Sequence, residues 1–262
     1  MALFGSSYNG PREVHYLFID GGAMRGRIQN LSNRYFGGVT VDIDFAKVGR
    51  NYTKVFYYDA LPVREDGETE QDYELRSKPM RDVLDSAANV DGVHVYEGDA
   101  RRRRRRGLEQ KKVDVMLTVD MLTHSFRKNM HKATLLTGDN DFKPLIDALV
   151  QDGMFVSLMY PPEETSRELM QAADARFPMS MSIIEGYLTA DSKLLFDLPK
   201  RKMHHQPVDT GNNVSTWTQD NQQLGLHELD GEFLVTQVQN PNNTLHVSHK
   251  NLDLLRHFCK ES

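Results

Sequence analysis

The chain has 262 residues, of which 39% are hydrophobic and 26% charged, enough for one large α/β domain or for one domain with a smaller appendage. Its 32 Lys and Arg against 37 Asp and Glu exclude a wholly basic nucleic-acid binder but allow a local basic patch. The single cysteine, Cys259, excludes an internal disulfide framework and predicts a reducing, cytoplasmic location. Because no apolar run reaches the roughly 20 residues that span a bilayer, and the first residues lack the pattern of a signal peptide, we expect a soluble protein without a membrane partner.

Short apolar runs alternate with amphipathic segments over most of the chain, as in parallel β/α units. Strands are predicted at 15–20, 52–61, 92–98, 133–139 and 154–161. Helices are predicted at 24–35, 74–89 (interrupted or kinked near Pro79), 113–126, 142–153 and 163–174. This order predicts an α/β fold with a mostly parallel sheet.

The composition changes near residue 190, so 1–190 is interpreted as the main domain. The polar stretch 191–230 predicts a linker or an arm. In 231–262, two alternating runs around Asn-Pro-Asn-Asn predict a β-hairpin, which a short amphipathic helix follows. Trp217 in the arm is interpreted either as an anchor onto the main domain or as a base-stacking platform. Structural or surface roles are expected for the scattered histidines, which lack the spacing of metal ligands: His204, His205, His246 and His249.

Aspartates follow two of the predicted strands. Asp20 ends the first strand, Asp139 ends the fourth, and Asp141 lies two residues further on. In open parallel sheets, chemistry takes place outside the carboxyl ends of the strands, where the strand order reverses. With the order 3-2-1-4-5, Asp20 and Asp139 would face each other across one crevice. The alternative role for the aspartates after the fourth strand is to cap the N-terminus of the next helix.

Two further aspartates, Asp114 and Asp120, lie on the helix that precedes the fourth strand. Their six-residue spacing corresponds to about 600° of rotation, so they do not share a narrow face. Asp114 is expected near the helix N-terminus, where capping competes with metal binding. Asp120 interrupts the apolar run VMLTVDML, and an unpaired carboxylate on a buried face is costly, so we expect a cation or strong donors beside it. Carboxylates without a His or Cys cluster favour Mg²⁺ or Mn²⁺, ions that support phosphodiester hydrolysis.

Three motifs occur in order: YLFIDGG at 16–22, KKVDVMLTVDML at 111–122 and LLTGDNDFKPLI at 135–146. Together they resemble the NYN-domain branch of the PIN-like ribonucleases over about residues 14–175. The resemblance implies a Rossmann-like three-layer α/β sandwich that cleaves RNA with Mg²⁺ or Mn²⁺. It implies catalytic roles for Asp20, Asp120, Asp139 and Asp141, and metal binding by these four together with Asp114. Thr137 occupies the position of a small hydroxyl residue that would donate to a metal ligand.

Two positions depart from the family pattern. Ala23 stands where the family has Asn, which removes a side-chain donor, and Lys112 stands where the family has Gly. These departures leave a second interpretation open, an RNA-binding or scaffolding protein with weakened turnover, whose hairpin could join copies edge to edge. A phosphatase of the haloacid dehalogenase type is disfavoured because Gly22 stands where its second Asp is needed. A Toprim fold is disfavoured because Asp20 stands where it has Glu.

Six consecutive arginines follow the third strand: Arg101, Arg102, Arg103, Arg104, Arg105 and Arg106. Such a run is usually a solvated loop, but this one interrupts an acidic chain and emerges at the sheet edge that carries the aspartates. Arginine binds phosphates through its planar fork and stacks on bases. We therefore predict that the run binds the backbone of single-stranded or structured RNA, and that Arg25 and Arg27 extend the same track.

Overall fold

The alternating apolar runs form a parallel sheet in the computed structural model, which describes residues 13–98, 108–205, 209–219, 221–237 and 244–260. The described residues divide into two compact units. The first contains the residues up to Met24, Gly49–Tyr160 and Glu164–Phe177, and the second contains the others. The predicted arginine run at 101–106 lies outside the described residues.

Six strands form the first sheet: β1 (His15–Asp20), β2 (Lys54–Ala60), β3 (Val93–Gly98), β4 (Lys132–Leu136), β5 (Phe155–Tyr160) and β6 (Ala175–Pro178). Their order is β3-β2-β1-β4-β5-β6, and β1 to β5 pair in parallel. The predicted α/β fold with a mostly parallel sheet is therefore confirmed, as is the order 3-2-1-4-5. Residues 16–19 of β1 are all buried, as expected of a strand that is covered on both faces.

Helices connect these strands: α1 (Gly21–Tyr35), α2 (Phe45–Gly49), α3 (Glu70–Ala88), α4 (Leu108–Phe126), a 3-10 helix (Asn140–Phe142), α5 (Lys143–Gln151) and α6 (Arg167–Ala172). Helix α1 begins at residue 21 rather than 24 because Asp20 caps it: its Oδ1 accepts the backbone N–H of Ala23 at 3.2 Å. Helix α3 runs through Pro79 without interruption. Helix α4 begins at Leu108 rather than at residue 113.

One hydrophobic core lies between the first sheet and helices α4 and α5, and it includes Phe18, Leu117 and Ile146. Side chains alternate between the two faces of a strand, so Phe18 and Asp20 of β1 point to the same face. The pairing of Phe18 with Phe56 and of Asp20 with Tyr58 puts those β2 residues on this face too. The end of β1 therefore directs its carboxylate toward the side of the sheet that α4 covers.

The polar stretch 191–230 is not a linker. After α7 (Met181–Tyr187), the second unit contains α8 (Ala190–Leu195), β7 (Lys200–His204), β8 (Asn212–Gln219), β9 (Gln222–Leu229), β10 (Glu232–Gln237), β11 (Thr244–His249) and α9 (Leu252–Lys260). The strands form an antiparallel sheet in the order β7-β11-β10-β9-β8. The edge strands β7 and β8 are largely exposed, so their sequences lack the apolar alternation that predicts a strand, and backbone hydrogen bonds pair them with their neighbours.

The predicted hairpin corresponds to β10 and β11, which pair in antiparallel orientation. Strand β10 also pairs with β9, and β11 also pairs with β7, so both outer edges of the hairpin are occupied within the chain. The prediction that this hairpin joins copies edge to edge is therefore wrong. Trp217 lies half-buried in β8, where it pairs with Leu224 of β9 as part of the sheet.

Arg27 is a structural residue of the second unit, with only 1% of its surface exposed. Its Nε donates to the backbone carbonyl of Met179 at 3.1 Å, and Nη2 lies 3.2 Å from Nε2 of His257 on α9. A buried guanidinium requires such partners because an unpaired charge is costly away from water. Helix α9 is thus held to α1 by a polar contact.

Candidate active site at the carboxyl ends of the parallel strands

Asp20 occupies the junction between β1 and α1, largely shielded from solvent. Its Oδ1 accepts the backbone N–H of Ala23, and its Oδ2 accepts the hydroxyl of Thr137 at 2.9 Å. Burial raises the pKa of this carboxyl, and the charge of Asp59 adds to the rise, whereas the two hydrogen bonds lower it. The ionised carboxylate would therefore be stabilised further by a cation.

Thr137 connects the ends of β1 and β4. Its hydroxyl donates to Asp20 and accepts the backbone N–H of Asp139 at 3.1 Å. Its own backbone N–H donates to the carbonyl of Met159 in β5, also at 3.1 Å, so β5 fixes its position. One side chain therefore joins Asp20 to the loop of Asp139, at the ends of the neighbouring strands β1 and β4.

Asp139 and Asp141 lie in the loop that follows β4, and both are exposed. Oδ1 of Asp139 accepts the backbone N–H of Asp141 at 2.9 Å, which caps the short 3-10 helix. Asp139 thus caps the helix that follows β4, which was the alternative role that the sequence suggested for it. A capping carboxylate still has free lone pairs, so this contact does not prevent Asp139 from binding a cation.

Asp120 lies beside the buried stripe of α4, which consists of Val113, Leu117 and Met121. Its Oδ2 accepts the hydroxyl of Tyr58 at 2.9 Å. Burial, and then the charge of Asp120, raise the pKa of Tyr58 well above its ordinary value, so the phenol remains a donor. The strong donor predicted for Asp120 is therefore Tyr58, the β2 residue that pairs with Asp20.

Asp114 does not have the position that the sequence predicted. Because α4 begins at Leu108, Asp114 lies in its second turn and cannot cap its N-terminus. Its backbone carbonyl accepts the hydroxyl of Thr118 at 2.8 Å. Its side chain is half-buried, and its assignment as a metal ligand stays a prediction.

Sequence reasoning missed Asp59, which is 4% exposed near the end of β2. Its Oδ2 accepts the hydroxyl of Tyr57, and its Oδ1 accepts the backbone N–H of Ala60, both at 2.8 Å. Strand alternation directs it to the face opposite Tyr58, where it packs against Gly21. The sequence feature that could have identified Asp59 was the aspartate in the run YYDAL, at the end of the strand predicted to lie beside β1.

The donor set fits a hard divalent ion only in part. Among the described residues, no three His, Cys, Asp or Glu side chains are grouped so that they could hold a metal ion. The arrangement therefore does not match a single ion surrounded by all five predicted aspartates. Mg²⁺ is commonly held by one or two carboxylates, with water and substrate phosphates completing its shell, so a site with fewer protein ligands than five stays compatible with this ion.

The two RNA-binding arginines predicted on α1 differ in accessibility. Arg27 is buried and bonded within the protein, so the prediction that it extends an RNA track is wrong. The sequence did not reveal this because its partners Met179 and His257 are more than 150 residues away. Arg25 is half-buried, and its role stays a prediction.

No helix in the described ranges combines the length and the apolar character needed to cross a membrane.

Comparisons with known proteins match the chain to a protein family. A family model described as the NYN domain matches residues 17–180. No curated protein matches the chain. Among solved structures, a protein of unknown function from Vibrio parahaemolyticus is 16% identical, with a TM-score of 0.43, and the match covers 68% of this chain and 96% of that one.

A substitution at Gly21 tests how closely the residues beside Asp20 are packed. A Cβ at this position would lie 2.3 Å from Oδ2 of Asp59 and 2.8 Å from the hydroxyl of Tyr57. We expect Gly21→Ala to destabilise the protein by about 1–3 kcal/mol, as overpacking of a filled site does. The matched control is Gly26→Ala in the same helix, where nothing lies within 4 Å of the new Cβ. That variant should gain about 0.5–1 kcal/mol. Urea unfolding measures both, and equal stability of the two variants would contradict this packing.

Proposed function

The chain belongs to the NYN-domain family of PIN-like nuclease folds, and from this premise we propose that it is a metal-dependent ribonuclease that hydrolyses RNA phosphodiester bonds. Asp20 and Asp139 are proposed as the ligands of Mg²⁺ or Mn²⁺. Asp120 and Asp141 are proposed as the further acidic groups of the site. Thr137 is proposed as the residue that orients Asp20.

The observation that carries the proposal is the hydroxyl of Thr137 between Asp20 and the loop of Asp139. Two carboxylates from distant parts of the chain are held at one edge of the sheet, beside adjacent parallel strands. Such an edge is where open α/β sheets bind their ligands. The rise in the pKa of Asp20, which burial causes first, further supports a cation as its natural partner.

The roles of the protein's own groups follow from their exposure. Asp20 is shielded and fixed by two hydrogen bonds, so it provides a rigid ligand. Asp139 and Asp141 are exposed, so they can meet a substrate that arrives from solvent. Asp120, fixed by the Tyr58 hydroxyl, adds negative charge on the α4 side of the sheet. A bound Mg²⁺ or Mn²⁺ would supply neutralisation of the phosphate charge and acidification of water.

Ala23 favours a second candidate function, an RNA-binding or scaffolding protein that retains the fold with weakened turnover. Its methyl group offers no donor where the resembled family has an amide. Its backbone N–H already serves the capping bond to Asp20. The two candidates differ in one measurable property, which is metal-dependent cleavage of a bound RNA.

Asp139→Asn separates the charge of this residue from its capping role. Asparagine caps helices about as well as aspartate, so the bond to the N–H of Asp141 and the stability of the protein should be retained. We expect cleavage of labelled single-stranded RNA with Mn²⁺ to fall about 100-fold or more, the order of loss that follows removal of a preorganised charge-stabilising group. The matched control is Asp82→Asn, which removes an exposed aspartate paired with Lys78 on α3 and should leave cleavage unchanged.

Each outcome selects one of the two functions. Cleavage that requires Mn²⁺ and is lost only in the Asp139 variant supports the nuclease. RNA binding without cleavage in wild type and both variants supports the scaffold. Equal cleavage by Asp139→Asn and wild type would refute the assigned role of this carboxylate.

The arginine run at 101–106 is proposed to bind the RNA backbone. Replacing its six arginines by serine should weaken RNA binding, because fewer counterions are released from the RNA when the protein binds. The slope of log affinity against log salt for a single strand should become shallower by about 0.7 for each phosphate that the variant no longer neutralises. Affinities measured at several salt concentrations test this, and an unchanged affinity at low salt would contradict it.

A further inference from the structure

Two stacks of aromatic rings cross the first sheet and end on β3. In one, the ring centroids of Phe18 and Phe56 are 5.0 Å apart with an interplanar angle of 10°, and those of Phe56 and His94 are 5.2 Å apart at 25°. In the other, Tyr58 and Tyr96 stack at 4.9 Å and 12°. Since β3 is the edge strand of this sheet, no further described strand of the sheet continues either stack beyond His94 or Tyr96.

The two terminal rings lie on one face of the edge strand. His94 is exposed and Tyr96 is half-buried. Their two-residue separation corresponds to roughly 6.6 Å along a strand. This is wider than the approximately 3.4 Å repeat along one strand of a duplex, so the pair matches two splayed bases of an extended single strand better than two stacked bases of a helix.

Charged groups at the two ends of the pair suit a nucleic-acid strand that leads toward the acidic site. Burial, and then the charge of Lys54, lower the pKa of His94. Burial, and then the charge of Asp120, raise the pKa of Tyr96. Lys54 directly precedes Val55, the β2 partner of Val93. Asp120 accepts the hydroxyl of Tyr58, the ring that stacks on Tyr96. A cationic group that can meet a phosphate thus lies near one ring, and a proposed acidic group of the active site lies near the other.

We propose that the outer ring faces of His94 and Tyr96 form a stacking site for two bases of single-stranded RNA. A phosphate of the same strand lies beside Lys54, and the strand runs toward Asp120. This inference rests on the proposed function, since it assigns to that nuclease site a single-stranded substrate. Stacking accommodates every base, so the site selects strandedness rather than sequence.

The test measures the dissociation constant of a fluorescent single-stranded oligoribonucleotide by anisotropy, in EDTA so that no metal-dependent cleavage occurs. Removing a base-stacking ring typically costs 1–3 kcal/mol, so Tyr96→Leu and His94→Leu should each weaken binding by about 5-fold or more. Tyr96→Phe keeps the ring and should bind within about twofold of wild type. The affinity for duplex RNA of the same sequence should not change in any variant.

A second measurement requires no variant. RNA with 2-aminopurine at successive positions should lose fluorescence on binding wild-type protein, because stacking quenches this base. The proposal is overturned if thermally stable Leu variants bind single-stranded RNA as wild type does, if 2-aminopurine is not quenched at any position, or if the wild type does not bind single-stranded RNA. Quenched binding without cleavage in Mn²⁺ would support the stacking site and refute the nuclease. Mn²⁺-dependent cleavage with unchanged affinity in the Leu variants would support the nuclease and refute the stacking site.

Discussion

The hydroxyl of Thr137, which donates to Asp20 and accepts from the backbone of Asp139, is the contact on which the candidate site depends. Thr137 is 0% exposed, so water cannot replace either partner. An unmade hydrogen bond at a buried polar group costs about 1–3 kcal/mol. The side chain therefore has one favourable arrangement, and that arrangement sets the orientation of the Asp20 carboxylate relative to the loop that carries Asp139 and Asp141.

The fold produces this contact because β1 and β4 are neighbours in a parallel sheet, so their carboxyl ends meet at the same edge. Asp20 is both the last residue of β1 and the cap of α1, and the partial positive charge of a helix N-terminus favours a carboxylate there. Asp59 opposes this effect from the other face of the sheet, since its charge raises the pKa of Asp20. The site thus holds a shielded carboxylate that gains from a cation.

The positions of Asp20 and Asp139 were predictable, because Asp20 ends the buried strand β1 and Asp139 lies in the loop after the buried strand β4. Thr137 was identified only through the family resemblance. Asp59 was missed because its role depends on the close approach of Gly21, which no local pattern reveals. Strands β7 and β8 were missed because edge strands are held by backbone pairing and carry little apolar signal. The burial of Arg27 was missed because its partners come from the second half of the chain.

Mn²⁺ affinity, measured by isothermal titration calorimetry on Thr137→Val and Thr137→Ser, shows whether the Thr137 hydroxyl orients a metal-binding carboxylate. Valine keeps nearly the same volume but removes the hydroxyl, whereas serine keeps the hydroxyl and removes the methyl group. Comparing the two variants therefore separates the effect of the hydrogen bonds from the effect of packing. We expect the valine variant to bind Mn²⁺ about 10–100-fold more weakly, the usual cost of losing a group that orients a metal ligand, and the serine variant to stay close to wild type. Wild-type affinity in a folded Thr137→Val protein would refute the role of this hydroxyl in orienting Asp20.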